Sequence, residues 1–188
     1  MMEIATLEVP DVKLLGLRRH ADKRGFFSET YNSAALREAG VMTNFVQDNY
    51  SFSLARGTVR GLHFQLPPAA QAKLVMVFAG RILDVVVDCR RGSPTYGRHV
   101  AVELSRDSWS QLYVPEGFAH GFCTLEPDTS VLYKVSAPYA PKLDSGVLWN
   151  DPDLGIKWPV EADAAVITEK DLALPRFRDL ADPFVYRN

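Results

Sequence analysis

The sequence has only two cysteines, four histidines and a formal net charge of −2. Cys89 and Cys123 lie far apart, each in an apolar context. That excludes a disulfide framework and predicts two reduced, buried thiols. The near-balanced charge excludes the broad basic footprint of a nucleic-acid binder, though not a local basic pocket. No apolar run approaches the roughly 20 residues needed to cross a bilayer. The opening Met-Met-Glu-Ile-Ala-Thr-Leu-Glu-Val-Pro has neither the basic nor the apolar region of a secretion signal. The expectation is a cytoplasmic protein without nucleic-acid or membrane partners. There is no repeat, no low-complexity linker and no shift in composition. The 188 residues therefore read as one domain, 1–188, large enough to bury roughly 70% of its unfolded surface.

A more specific absence concerns metal ligands. Arg60-Gly61-Leu62-His63-Phe64-Gln65 and Pro115-Glu116-Gly117-Phe118-Ala119-His120-Gly121 have the shape of small β-barrel metal motifs. A metal site in the first would use His-x-His, a Glu, then six residues and a Gly. Here Gln65 replaces the second His, and Lys73 stands where the Glu would fall, with six residues between it and Gly80. An ammonium has no lone pair and repels a divalent ion, and zinc or iron needs about three or four N, O or S donors. Only His63 and His120 remain. The expectation is no metal and no cofactor, with acid–base chemistry on an anionic intermediate.

What is present is mostly β. Leu74 to Val87 reads as two apolar strands around Ala79-Gly80-Arg81. Segments 98–104, 110–114, 120–125 and 129–136 follow at roughly ten-residue spacing with Gly, Pro, Asp and Ser between them, which indicates a sandwich or barrel. Asn32 or Ser33 can cap a helix over 34–39, with Gly40 as its stop. Thr168-Glu169-Lys170-Asp171-Leu172 starts a second helix, ended by Pro175. Alternation puts Lys73 on the face of Val75 and Val77, and Tyr133 on the face of Val131 and Val135, so both should point inside. Arg60 and His63, three apart, would face opposite ways in a regular strand unless Gly61 marks a bulge.

Several segments in one order carry a resemblance: Asp22-Lys23-Arg24-Gly25-Phe26-Phe27-Ser28-Glu29, Phe45-Val46-Gln47-Asp48-Asn49, the two metal-like motifs, Leu132-Tyr133-Lys134 and Leu148-Trp149-Asn150-Asp151-Pro152. Together they resemble the dTDP-4-dehydrorhamnose 3,5-epimerases, over about residues 3–175. The resemblance implies an all-β cupin, a double-stranded β-helix jelly-roll barrel with short helices near the N-terminal third and the C-terminus. It implies a metal-free enzyme that turns dTDP-4-dehydro-6-deoxy-D-glucose into dTDP-4-dehydro-L-rhamnose, on the route to dTDP-L-rhamnose. An epimerase acting at C3 or C5 alone is the alternative. Metal-dependent cupins and non-catalytic sugar-binding cupins are more distant readings.

Inverting a carbon beside a ketone requires a base on one face, an acid on the other and a donor for the enolate oxygen. An ordinary imidazole titrates near 6.5, so a histidine, His63, suits the base. The resemblance pairs it with Asp171 and makes Tyr133 the proton donor. Lys73 would stabilise the enolate, and His120 would bind near the sugar ketone. Arg24 and Arg60 suit the diphosphate, because guanidinium forks grip phosphate oxygens in pairs. The resemblance adds Gln47, Asp48 and Asn49 and places Phe27 and Glu29 at the thymine; Lys170, beside Asp171, is expected to reach the nucleotide, and Asp144 stands at the pocket rim. Tyr50, where relatives often have His, and the apolar loop 66–71 are departures that touch none of the proposed acid, base or enolate donor. The resemblance also implies a homodimer whose N-terminal strands, within 2–31, cross between subunits, so the partner could supply Arg24 or Glu29. Residues 176–188 read as a C-terminal tail.

Overall fold

The computed structural model describes residues 3–181 and 184–186. Met2, at the start of the expected crossing segment, and positions 182, 183, 187 and 188 of the expected tail lie outside the described residues. In chain order the strands are β1 (Glu3–Thr6), β2 (Lys13–Gly16), β3 (His20–Asp22), β4 (Gly25–Phe27), β5 (Gln47–Ser53), β6 (Val59–Gln65), β7 (Lys73–Ala79) and β8 (Arg81–Asp88). They continue with β9 (Arg90–Arg91), β10 (His99–Ser105), β11 (Ser110–Val114), β12 (Phe118–Thr124), β13 (Thr129–Val135), β14 (Asp144–Gly146) and β15 (Phe184–Val185). Two short helices, α1 (Ser33–Glu38) and α2 (Glu169–Leu172), and a 3₁₀ turn at Phe177–Asp179 complete the set.

The strands form two main sheets. The six-stranded sheet runs β1-β2-β11-β7-β13-β5 and the five-stranded sheet β10-β8-β12-β6-β14. All pairings within them are antiparallel. This is the expected cupin-type jelly roll. Period-two alternation builds its interior. Val75 and Val77 of β7, Leu112 and Val114 of β11 and Val131 of β13 meet Ile82 and Val86 of β8, Val100 and Leu104 of β10 and Phe118 and Phe122 of β12. Burying each such side chain contributes on the order of 1.5–3 kcal/mol. The core occupies one end of the barrel and leaves the other end for polar side chains.

The outer faces are covered differently. On the five-stranded sheet, Leu62, Phe64, Val85, Val87 and Ala119 lie beneath the C-terminal segment, including Leu154, Phe177, Leu180 and Phe184. β15 adds a parallel pairing with β9. Residues 177–180 and 184–186, within the stretch read as a C-terminal tail, thus pack against the five-stranded sheet and β9. On the six-stranded sheet, Leu15 and Leu74 lie under Leu36, Ala39 and Val41 of the α1 region. Asn32 caps α1 by accepting from the Ala34 and Ala35 amides, and Gly40 follows at φ +76, a left-handed stop that suits glycine.

Two glycines set the local geometry of the site. His120 pairs with His63 and Phe122 with Arg60, so Gly121 alone faces Gly61 and Leu62. This is the bulge expected at Gly61. A Cβ on Gly61 would fall 2.6 Å from the Gly121 Cα, and one on Gly121 would fall 2.6 Å from the Arg60 carbonyl oxygen. The extra residue lets Val59, Leu62 and Phe64 pack on the outer side while Arg60 and His63 share the inner side.

Candidate active site

The open end of the barrel holds two adjoining cavities of about 230 and 280 Å³, which share His63, Lys73 and Tyr133. The first is also lined by Arg60, His120, Asp171, Ser51, Phe122 and Thr168. The second takes in Gln47, Asn49, Gln65, Tyr139 and Asp144. Residues from β5, β6, β7, β12, β13, β14 and α2 therefore converge on one place.

His63 Nε2 lies 2.9 Å from Asp171 Oδ1, and the Gly61 amide donates to Asp171 Oδ2 at 3.2 Å. α2 exists to present this carboxylate: Thr168 caps it and accepts from the Asp171 amide. Burial pushes the Asp171 carboxyl up, but the His63, Gly61 and Thr168 hydrogen bonds and the His63 charge outweigh it and hold the group below the usual range. An ionised partner on Nε2 fixes the imidazole proton there and leaves Nδ1 as a lone pair.

Lys73 enters from the opposite sheet. It is 7% exposed, and its Nζ donates to the His63 carbonyl oxygen at 3.1 Å. Burial pulls its ammonium down from 10.5 to about 8, against the opposing fields of Asp84 and Asp144. Tyr133, on the neighbouring strand β13, has its phenol pushed up by burial, with Arg60 acting against it and Asp144 with it. The phenol is accordingly protonated at neutral pH. His120 is buried with Nε2 2.8 Å from Asp84 Oδ1. Burial pulls its imidazole down, outweighing the Asp84 carboxylate, so the ring is neutral near pH 7.

Towards the rim, Arg60 donates to Ser53 Oγ and to the Phe52 carbonyl oxygen. Gln47 donates to Asn49 Oδ1 at 2.8 Å and accepts from the Tyr139 amide. Lys170 and the Tyr139 hydroxyl both bond Asp144. Gln65, at a vanished ligand position, ties the β6–β7 loop to the loop after β13: it donates to the Ala69 carbonyl oxygen of the first and the Pro138 carbonyl oxygen of the second, and accepts from the Ala140 amide.

Four of the expected residues do not join this cluster. Asp48 lies on the exposed side of β5, where alternation must put it between inward Gln47 and Asn49, and its carboxylate pairs with Lys134. That corrects its expected place in the pocket. Arg24 sits in the β3–β4 hairpin and forks onto Asp22. Phe27 is 71% exposed, and Glu29 accepts from the Asn32 amide group. None of these last three lines either cavity within its own chain. Sequence reasoning missed Ser51, Phe122, Tyr139 and Thr168. It also missed Asp84, whose signal was a lone acid within the apolar run Ile82-Leu83-Asp84-Val85-Val86-Val87.

Among the described residues no group of three or more His, Cys, Asp or Glu is arranged to hold a metal ion. The expected result of exhaustive EDTA treatment is undiminished turnover. Loss on chelation that a divalent ion restores would overturn that expectation.

The family model for dTDP-4-dehydrorhamnose 3,5-epimerase matches residues 6–179. The chain belongs to this family. A dTDP-4-dehydrorhamnose 3,5-epimerase of Sinorhizobium fredii is 48% identical over 185 residues, covering 98% of this chain and 94% of that protein. The crystal structure of the Bacillus anthracis enzyme, with TDP and PPi bound, is 50% identical with a TM-score of 0.90, covering 94% of this chain and 99% of that one. A dTDP-6-deoxy-D-glucose-3,5-epimerase from Legionella pneumophila in complex with dTDP-4-keto-L-rhamnose is 36% identical with a TM-score of 0.95, and the match covers 100% of both chains. Membership of this epimerase family makes the chain an isomerase. No helix among the described residues is long and apolar enough to cross a membrane.

Proposed function

We propose that this epimerase inverts C3 and C5 of dTDP-4-dehydro-6-deoxy-D-glucose to give dTDP-4-dehydro-L-rhamnose, without metal or cofactor. The observation that carries this reading is the placement of two proton-transfer groups on opposite walls. His63, backed by Asp171, stands on β6 of the five-stranded sheet, and Tyr133 on β13 of the six-stranded sheet. Inversion needs removal on one face and delivery on the other. His63 takes the proton beside the C4 ketone, and Asp171 steadies the imidazolium that results. Lys73, an ammonium in a nearly dry wall, stabilises the enolate oxygen with His120 beside it. Tyr133 returns a proton to the opposite face. Repeating the sequence at the second carbon uses the same groups.

Arg60, Gln47 and Asn49 bind the diphosphate side, with Asp144 and Lys170 at the rim. Arg24, Phe27 and Glu29 act at the nucleotide end as residues of a partner subunit. Three features support such a homodimer. All four residues of edge strand β1 are exposed, and open edges are normally paired or covered. Phe27 is exposed without a place in its own site. The outer face of the six-stranded sheet presents exposed Tyr50, Phe52 and Phe78. Sedimentation at dilute concentration should give a mass near twice 21.0 kDa; the monomer mass would reject the dimer.

Turnover of dTDP-4-dehydro-6-deoxy-D-glucose in D₂O, followed by NMR of the sugar, tests the reaction. Solvent deuterium should appear at both C3 and C5. Label at one carbon alone would replace this reading by that of a single-carbon epimerase.

A further inference from the structure

Strand β8 carries a carboxylate that no step above uses. Ile82, Asp84 and Val86 share its inner face, and Ile82 and Val86 fill the apolar core. Asp84 between them is 0% exposed. Oδ1 lies 2.8 Å from His120 Nε2, whereas Oδ2 has no hydrogen-bond partner among the described residues. A packing role alone would be served better by valine, because a buried carboxylate that is half satisfied weakens a fold.

We propose that Asp84 is a positioning residue for the epimerisation: it locks His120 as the neutral Nε2–H tautomer and supplies the counter-charge that faces Lys73 across the barrel. The proposal rests on the enzymatic reading of Lys73 and His120 given above. A carboxylate only accepts hydrogen bonds, so the proton on the His120–Asp84 contact belongs to Nε2, and Nδ1 is left as an acceptor. The ring then has a fixed orientation beside His63, its register partner on β6. The groups facing Lys73 come from five strands: Asp84 of β8, Asp144 of β14, His63 of β6, His120 of β12 and Tyr133 of β13. Of these, the two carboxylates favour the ammonium, and Asp84 acts more strongly than Asp144. His120 in turn feels Asp84, Lys73 and His63. Neutralising Asp84 should thus release the imidazole and weaken the hold on the Lys73 proton together.

The test begins on wild-type protein. ¹⁵N–¹H correlation of the His120 ring at pH 7 should show the neutral Nε2–H tautomer, and competitive acetylation should place the Lys73 midpoint near 8. An Nδ1–H tautomer or an imidazolium at His120 would overturn the proposal even if no variant folds. Asp84→Asn should mix the two His120 tautomers and lower the Lys73 midpoint by about one unit. The basic limb of kcat/KM should move down with it, so activity at pH 8 falls about fivefold more than at pH 6. An unchanged midpoint with an unchanged tautomer would reduce Asp84 to a structural group. Neither the tautomer nor the acetylation midpoint depends on turnover. Their success with a substrate that fails to react would sink the enzymatic reading and leave the Asp84 linkage intact.

Discussion

His63→Ala is expected to abolish both epimerisation and the release of substrate protons to solvent, whereas Tyr133→Phe should abolish only the first. The two variants separate because the proton cycle has two halves on two sheets. Without the imidazole no proton leaves carbon, and positioned general bases typically contribute about 10²–10⁴-fold. Tyr133→Phe keeps the His63–Asp171 pair, held at 2.9 Å, and the Lys73 ammonium, so the enolate still forms. Lacking the acid on the opposite wall, it collapses by taking a proton back from the side of His63. Deuterium from D₂O should therefore enter the recovered substrate while the inverted product falls by about 10²-fold or more. Phenylalanine fills nearly the same space beside Val131 and Val135, so stability should change little. Equal loss of exchange in both variants would show that Tyr133 does more than donate a proton.

The same division explains which parts of the molecule were legible in the chain. β7, β8, β10, β11, β12 and β13 alternate apolar-in because their inner faces fill the core, and their bounds fall within a few residues of those expected. β5 reverses the pattern: Gln47, Asn49 and Ser51 point in, and Tyr50 and Phe52 point out. A strand whose inner face belongs to a polar cavity does not look like a strand by hydropathy, so nothing in the pattern showed that Asp48, which came with its neighbours Gln47 and Asn49 from the family resemblance, points outward. The sequence posed the Gly61 bulge as a question, since Arg60 and His63 face opposite ways in a regular strand, and the register shift opposite Gly121 answers it. The His63–Asp171 contact, 108 positions apart in sequence, carried no local signal and came from the family resemblance. Asp84 carried one, an acid in phase with two core residues, which alternation alone would have placed inside the barrel. The C-terminal segment looked like a tail because β15 spans two residues and pairs with the two-residue β9, a long-range contact without a period of its own.

Lys73→Met should make the protein more stable and nearly inactive. The ammonium is 7% exposed, and its descent from 10.5 to about 8 is caused first by burial. A lysine whose folded value lies below its unfolded value destabilises the fold while it is charged in both states. That cost is fully present below pH 8 and disappears as pH rises through 8 towards 10.5. The shift corresponds to about 3 kcal/mol, as an order of magnitude. Methionine fills the space without the charge. It gives up the hydrogen bond to the His63 carbonyl oxygen, worth about 1 kcal/mol, and leaves the Asp84 and Asp144 carboxylates without their cation. The expected net gain at pH 7 is about 1–2 kcal/mol, or a rise of a few degrees in Tm for a chain of this size. The gain over wild type should shrink between pH 8 and 10, where the wild-type lysine loses its proton. Activity should fall by about 10²–10³-fold, the usual loss when a preorganised oxyanion donor is removed. Such opposed changes mark a group held against the interest of folding for the sake of the enolate. A variant that is less stable by the same amount at every pH would identify Lys73 instead as a structural cation.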